Sequence, residues 1–419
     1  MTIHTKWMEL LRSEASEAFQ YGELTTAVGA SFIDGQIKLM ISESVKTWAD
    51  FIYSKFTSTI MRHFLVYGCT TVVLSFDDKR FVPKAKAITQ CKRRSGVQII
   101  EFGESNTLPN DLPAVQWKES IMNAWFKHRV IELICTNVPR LVSPPKGCRL
   151  IVDWETTREY VYGDTDEPEI KDLGCAGIGE VIFFSIPQKQ LKKLTLKQAD
   201  LKFTRWMRSL QCPMLIEATD GDYIPIALGL KAAGFALPVV ILKAWKEGKG
   251  PEFVHIDTIH AFLQARFRRA ARGRECCPWW EVKLFIVLLG LSGTDFTRNL
   301  PLVSPQKIWG ALPLIIQTFD MQGPAAINPK QGKRIVELLY AEAFPKHIDA
   351  FSRGSVWSQA QASKLGPRNK ALIPTDGRIV CTMRNINFLL EYWLVFEPPE
   401  RIEEFGFRVG AGGVVEWDD

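Results

Sequence analysis

Three short stretches of the sequence decide the fold: residues 28–35 read VGASFIDG, residues 70–78 read TTVVLSFDD, and residues 214–222 read MLIEATDGD. Each is an apolar run of strand length that stops at acidic residues. Residues 150–152 and 181–186 are further strand-like runs, and segments with helical spacing of apolar residues separate them. This alternation predicts an α/β fold with a mostly parallel, twisted sheet flanked by helices.

The carboxylates that end the strands are Asp34, Asp77, Asp220 and Asp222. Because the carboxyl ends of parallel strands open on one crevice, we expect these four side chains to converge. Clustered carboxylates repel one another, and Mg²⁺ or Mn²⁺ bound by hard oxygen ligands usually resolves the repulsion. Each Asp alone is also typical of a turn or a helix N-cap. A turn does not need the second acid of TDGD, residues 219–222, so the set favours a metal site.

Composition limits the class of protein. The chain has 419 residues, 46% of them hydrophobic, which predicts two to three domains with large cores. Its 52 Lys and Arg against 46 Asp and Glu give +6, which permits an anionic partner. The N-terminus lacks the apolar core of a signal peptide, and the longest apolar run, 284–291, is too short to span a membrane. Nine irregularly spaced cysteines are typical of reduced thiols. We therefore expect an intracellular protein without a membrane partner.

The order of the motifs resembles that of the flap endonuclease/XPG-like 5′ nucleases, which have a PIN-like α/β core. MTIHTKWMELL, residues 1–11, is similar to their MGIxGLxxLL opening, and Asp34 falls where their first metal-binding Asp follows the first strand. SFDDKRFVPK, residues 75–84, resembles their FDGxxPxxK. ATDGDYIPIAL, residues 218–228, resembles their D-x-D followed by an apolar helix, and LLGLSGTDF, residues 288–296, resembles LLxGxDY/F.

The resemblance covers roughly residues 1–310, in the order of the family. It implies a PIN-like 5′ nuclease core there, with a helical arch at about 79–147 and a divergent helix-hairpin-helix starting at about 296. Residues 311–419 are expected to form a helix-rich C-terminal region with an irregular or β tail. The implied activity is two-metal hydrolysis of DNA, or of RNA, at 5′ flaps or free 5′ ends, in the nucleus or at a viral or cellular replication site. The implied catalytic ligands of two Mg²⁺ or Mn²⁺ ions are Asp34, Asp77, Glu180, Asp220, Asp222 and Asp295.

The sequence departs from the family before the D-x-D motif. The family has two acids as ExE there, whereas AGIGEVIFF has only Glu180, with Ile178 at the first position. Asp166, Glu167 or Glu169 are alternative ligands if the loop is rearranged. The expected second metal site is therefore weaker than usual.

Two basic segments are candidates for nucleic-acid binding. In the resemblance, Lys84 is an arch lysine, and a second catalytic basic residue falls near Arg93. The run of five Arg at 266–274 is a candidate for phosphate contacts with a marked salt dependence. As alternatives, the first segment is a solvated helix face and the second an exposed loop or a nuclear-import signal. The residues expected to bind nucleic acid are Lys84, Lys92, Arg93, Arg94, Lys307, Arg266, Arg268, Arg269, Arg272 and Arg274.

Two functions remain open from the sequence. One is a metal-dependent 5′ nuclease. The other is a catalytically inactive relative that serves as a nucleic-acid-binding or assembly scaffold, which Ile178 and Thr2, in place of the family's acid and glycine, suggest. Survival of five Asp together with Glu180 favours activity.

Overall fold

The computed structural model describes residues 3–40, 45–77, 108–113, 116–165, 167–173, 199–246, 248–274, 277, 279–294, 297, 300, 304–321, 326–343, 376–395, 402–409 and 415–417. Within these ranges no helix is both long enough and apolar enough to cross a bilayer.

A nine-stranded sheet organises the described part of the chain, in the order β1-β9-β8-β7-β2-β3-β4-β5-β6. The five central strands, β8, β7, β2, β3 and β4, are parallel, and the strands on both sides of them pair antiparallel. The predicted mostly parallel sheet flanked by helices is therefore confirmed. The strands are β1 (Phe19–Tyr21), β2 (Ala30–Asp34), β3 (Thr71–Ser75), β4 (Arg149–Asp153), β5 (Thr157–Val161), β6 (Glu169–Asp172), β7 (Met214–Glu217), β8 (Val239–Lys246) and β9 (Gly250–His255).

Helices lie on both faces because side chains of the central strands alternate between two buried apolar clusters. Phe32 and Val73 belong to one cluster, and Ile33 and Leu74 belong to the other. The helices are α1 (Ile3–Glu14), α2 (Gly35–Lys38), α3 (Trp48–Ile52), α4 (Ser58–Leu65), α5 (Trp117–Ile121), α6 (Ala124–Leu141), α7 (Ala199–Leu210), α8 (Tyr223–Ala232), α9 (Ile256–Ala271), α10 (Trp280–Ser292), α11 (Pro305–Gly310), α12 (Leu312–Thr318), α13 (Pro329–Ala343) and α14 (Asp376–Leu390).

The connection from β3 to β4 contains the segment that was expected to form an arch. Its helices α5 and α6 bury Trp117, Phe126 and Val130 in the same apolar cluster as Ile33. Helices α5 and α6, which lie within the expected arch range, therefore pack one side against the core of the sheet domain. Residues 78–107, where an arch would begin, lie outside the described residues.

The C-terminal helices share the core of the sheet domain. Ile335 of α13 and Ile386 of α14 belong to the same buried cluster as Phe32. Helix α14 contacts α10. The contact is close at Gly290, where a Cβ would lie 2.6 Å from Cγ1 of Ile386. A short antiparallel pair, β10 (Phe407–Val409) and β11 (Val415–Trp417), follows within the region expected to be an irregular or β tail.

We expect Gly290→Val to destabilise the protein by about 1–3 kcal/mol, because the added side chain overpacks the contact between α10 and α14. Gly310→Val is the matched control, since nothing lies within 4 Å of a Cβ at that helical glycine. Urea unfolding of both variants measures the difference. Equal stability of the two would contradict the close helix contact.

Candidate active site

The predicted acids lie at the carboxyl ends of three neighbouring parallel strands. Asp34 is the last residue of β2, and Asp77 follows the end of β3 by two residues. Asp220 and Asp222 lie in the turn between β7 and α8. Since β7, β2 and β3 are adjacent and parallel, the structure brings these four residues to the same edge of the sheet. This edge is called the carboxyl edge below.

Asp34 is a buried carboxylate with defined protein contacts. One oxygen accepts a hydrogen bond from the backbone amide of Gln36 at 2.9 Å, which caps α2. The other accepts from the hydroxyl of Tyr223, in the first turn of α8, at 3.0 Å. The next residue, Gly35, leaves no room for a Cβ, which would lie 2.3 Å from the ring of Phe76. Strand β2 therefore ends in a tight turn against the residue that precedes Asp77.

The Asp220–Asp222 turn is held from the neighbouring strand. The backbone amide of Asp222 donates to Oδ1 of Asp220 at 3.3 Å. Lys243 of β8 donates from Nζ to the carbonyls of Thr219 at 2.8 Å and Asp220 at 2.7 Å. Burial lowers the pKa of Lys243 to about 8, although the Asp220 and Asp222 charges act in the opposite direction. Asp220 is exposed and Asp222 is buried, so this turn presents one accessible carboxylate.

Asp153, at the end of β4, is an edge carboxylate that the sequence analysis did not select. The strand register aligns Asp34, Ser75 and Asp153 in one row across β2, β3 and β4. The buried Asp153 accepts hydrogen bonds at Oδ2 from Arg205 at 2.8 Å and from the indole of Trp206 at 2.7 Å. At Oδ1, the hydroxyl of Thr157 donates at 3.3 Å, and the ammonium of Lys202 also lies at 3.3 Å. These donors come from β5 and α7.

Glu217, the last residue of β7, is a second carboxylate that was not selected. It accepts from Lys38, and Arg62 lies 3.5 Å away. Its other oxygen is 2.6 Å from Nε2 of His63, which is fully buried. Burial acts to raise the pKa of Glu217, but the His63 hydrogen bond and the Lys38 charge outweigh it and lower the pKa to about 2. Burial lowers the pKa of His63, so the imidazole is neutral near pH 7 and the charge of Glu217 is balanced chiefly by Lys38.

Several predicted site residues lie outside the described residues. Among them are the expected metal ligands Glu180 and Asp295. Ile178, which stands where the family has an acid, and the alternative ligand Asp166 also lie outside. The alternative Glu169 begins β6, is exposed, and is separated from β3 by two strands, so the structure does not bring it to the carboxyl edge. Glu167 precedes it and is also exposed. The basic residues of the first segment that lie outside are Lys84, Lys92, Arg93 and Arg94.

The five-arginine run divides into two groups. Nε of Arg268 is 2.6 Å from a carboxylate oxygen of Glu281, which is completely buried in α10. Arg274 donates to backbone carbonyls at the end of α12, including that of Ile316 at 2.8 Å. These two arginines hold helices together, which the sequence interpretation of the whole run as a phosphate contact did not foresee. All five arginines are exposed, and Arg266, Arg269 and Arg272 remain candidates for contacts with an anion.

Lys307, the basic residue retained from the expected helix-hairpin-helix, is exposed on α11. Its backbone amide donates to the N-cap hydroxyl of Ser304 at 3.4 Å. Helices α11 and α12 follow one another directly there, and their apolar residues Ile308 and Ile315 are buried.

The donor chemistry of the carboxyl edge suits a hard divalent cation, because Asp34, Asp77, Asp220 and Asp222 offer only carboxylate oxygens. Within the described ranges, however, no group of three or more His, Cys, Asp or Glu side chains is placed to hold a metal ion. A complete ligand set at this edge therefore needs a residue from outside those ranges.

Comparison with solved structures finds a likeness to a complex of a protein with DNA. The catalytic core of Rad2 in complex with DNA substrate aligns with 88% of this chain and 95% of its own, at 16% sequence identity and a TM-score of 0.38. No family model and no curated protein matches the chain.

The lowered pKa of Glu217 makes a prediction about acid stability. An unfolded Glu titrates near 4.5 and the folded one near 2, so as the pH falls the unfolded state takes up the proton first and stability is lost between these values. The difference corresponds to about 3 kcal/mol. We expect Glu217→Gln to be less stable than the wild type at pH 6, and the gap to narrow as the pH falls from about 4.5 towards 2.

Denaturant unfolding at pH 6, 4.5 and 3 measures that gap. Glu9→Gln, at an exposed position on α1, is the control and should show no gap at any pH. A gap for Glu217→Gln that is constant from pH 6 to 3 would contradict the assignment of Glu217 as a stabilised anion.

Proposed function

We propose that this protein is a divalent-metal-dependent 5′ nuclease of the PIN-like type, which hydrolyses phosphodiester bonds in DNA at flaps or free 5′ ends. The observation that carries the proposal is the position of Asp34, Asp77, Asp220 and Asp222 at the ends of three adjacent parallel strands. A crevice outside the carboxyl ends of such strands is the usual binding site of an open α/β sheet. The motif order of the sequence adds to this, since the same four residues match the acids of the flap endonuclease-like family.

The chain's own residues have separable tasks in this proposal. Asp34, Asp77, Asp220 and Asp222, completed by Glu180 and Asp295, would hold Mg²⁺ or Mn²⁺. Such an ion, when bound, lowers the pKa of a water and neutralises phosphate charge. The Tyr223 hydroxyl fixes the orientation of the Asp34 carboxylate, and Lys243 fixes the backbone that presents Asp220.

Phosphate binding is assigned to basic side chains. Lys84 and Arg93 are proposed to contact the phosphate nearest the site, with Lys92 and Arg94 beside them. On the described surface, Arg266, Arg269 and Arg272 are exposed on or just after α9. Contacts of this kind recognise the backbone charge common to DNA and RNA, so substrate class depends on other groups.

A second candidate function is favoured by a specific observation. The carboxylates of Asp153 and Glu217 already have lysine and arginine side chains as counter-charges. Together with the lack of a three-ligand group within the described ranges, this is the pattern of a sheet edge that does not need a metal ion. A nucleic-acid-binding scaffold without nuclease activity is therefore the alternative.

We expect Asp220→Asn to reduce Mg²⁺-dependent cleavage of a 5′-labelled flap on the order of 100-fold or more, because it removes an accessible ligand charge at the edge. DNA binding in Ca²⁺ and thermal stability in EDTA should be unchanged or higher, since the repulsion within the cluster falls. Asp50→Asn, at an exposed position on α3, is the control. Full cleavage by Asp220→Asn would refute the site, and DNA binding without any cleavage by the wild type would favour the scaffold.

The division of the arginine run predicts two different phenotypes. Changing Arg266, Arg269 and Arg272 together to Gln should weaken DNA binding and flatten the dependence of log K on log salt by up to ~0.9 per lost duplex contact. Arg268→Gln should instead lower stability, because it leaves the buried Glu281 without its charged partner.

A control triple variant carries the same charge change at exposed positions elsewhere, Lys118, Lys146 and Lys171. Fluorescence anisotropy titrations from 50 to 300 mM salt compare the two triples. An identical slope for both would show that the α9 arginines do not contact DNA.

A further inference from the structure

Lys202 is a buried lysine whose ammonium lies at the carboxyl edge. Its side chain is 3% exposed. Nζ donates to the backbone carbonyls of Phe76 at 2.8 Å, Trp154 at 3.3 Å and Asp153 at 3.5 Å, and it lies 3.3 Å from Oδ1 of Asp153. The ammonium therefore sits where β3 and β4 end, beside the residue that precedes Asp77.

The groups around this ammonium are those of a cation site. Three backbone carbonyls and one carboxylate oxygen are hard oxygen donors, the type that Mg²⁺ and Mn²⁺ take in proteins. The other carboxylate oxygen of Asp153 accepts hydrogen bonds from Arg205 and Trp206. With the lysine in place, Asp153 has no capacity left for a metal ion.

The position of Lys202 relative to the proposed metal ligands follows from the sheet. Asp153 stands two strands from Asp34 in the same register row, which is about 10 Å at the usual strand spacing. Phe203 follows Lys202 in α7, and the centroid of its ring lies 5.2 Å from that of Tyr223, whose hydroxyl donates to Asp34. A pair of ions about 3.5–4 Å apart that extended towards β4 would meet the positive charge of Lys202.

We infer that the ammonium of Lys202 is a built-in cation that occupies a divalent-ion site at the ends of β3 and β4, so that the carboxyl edge binds at most one exchangeable ion. This differs from the two ions that the sequence resemblance implies. That an exchangeable ion binds here at all rests on the proposed function. The role of Lys202 does not rest on the proposed function, because it concerns the difference in the number of bound ions between the protein with the lysine and the protein without it.

The test counts bound Mn²⁺ by electron paramagnetic resonance, in titrations of the full chain at pH 7. We expect at most one ion for the wild type and one more for Lys202→Met, because the vacated carbonyls and Asp153 oxygen accept an ion. Lys202→Gln, which keeps a polar side chain, should gain the same ion and serves if the Met variant does not fold. Arg205→Met is the control and should bind the same number as the wild type, since it leaves the ammonium in place.

Two ions in the wild type would overturn the inference, as would no gain in whichever Lys202 variant folds. Flap cleavage measured on the same samples separates this failure from failure of the proposed function. If the wild type binds two ions and cleaves the flap, the result supports the proposed nuclease and contradicts the role of Lys202. If the wild type binds no ion and does not cleave, and the variant gains one ion, the result contradicts the proposed nuclease and supports the role of Lys202.

Discussion

The constraint on which the described structure depends is the placement of carboxylates at one edge of a buried parallel sheet. A carboxylate that loses water needs a counter-charge or several hydrogen bonds, because the ionised form is costly in a low-dielectric environment. Strands β4 and β7 end in Asp153 and Glu217, which are both nearly inaccessible. The helices that cover the two faces of the sheet are placed so that their basic side chains reach these residues.

Different helices supply the partners of these two buried carboxylates on the two faces of the sheet. On one face, α7 brings Lys202 and Arg205 to Asp153. On the other, α2 and α4 bring Lys38 and His63 to Glu217. Between them lie the ends of β2 and β3 and the turn after β7, where the acids of the proposed site stand. The proposed activity and the alternative scaffold thus differ in whether a cation from solution is needed at the centre of an edge whose flanks the protein neutralises itself.

The sequence predicts those features of the fold and the site that depend on residues close together in the chain. An apolar run that stops at an acid identifies both a buried strand and the edge at which it ends, which is why Asp34 and Asp220 were found. Asp153 and Glu217 carry the same signal, RLIVD and MLIE, and were missed because neither belongs to a recognised motif. The resemblance directed attention instead to Glu180, outside the described residues.

What the sequence could not supply is the pairing of charges over long separations. Lys202 lies 49 residues from Asp153, and His63 lies 154 residues from Glu217, so neither pair has a sequence signature. The same reason explains why Arg274 was counted among the phosphate contacts, because its acceptors are carbonyls more than 40 residues away.

Anomalous diffraction from crystals soaked in Mn²⁺ locates every bound ion against the carboxylates of the edge and so distinguishes one exchangeable ion from two or none. We expect one Mn²⁺ peak, in contact with the carboxylates of Asp34 and the Asp220–Asp222 turn, with the Lys202 ammonium still beside Asp153. A Mn²⁺ peak in contact with Asp153, or crystals saturated with Mn²⁺ that show no peak at the carboxyl edge, would contradict this expectation.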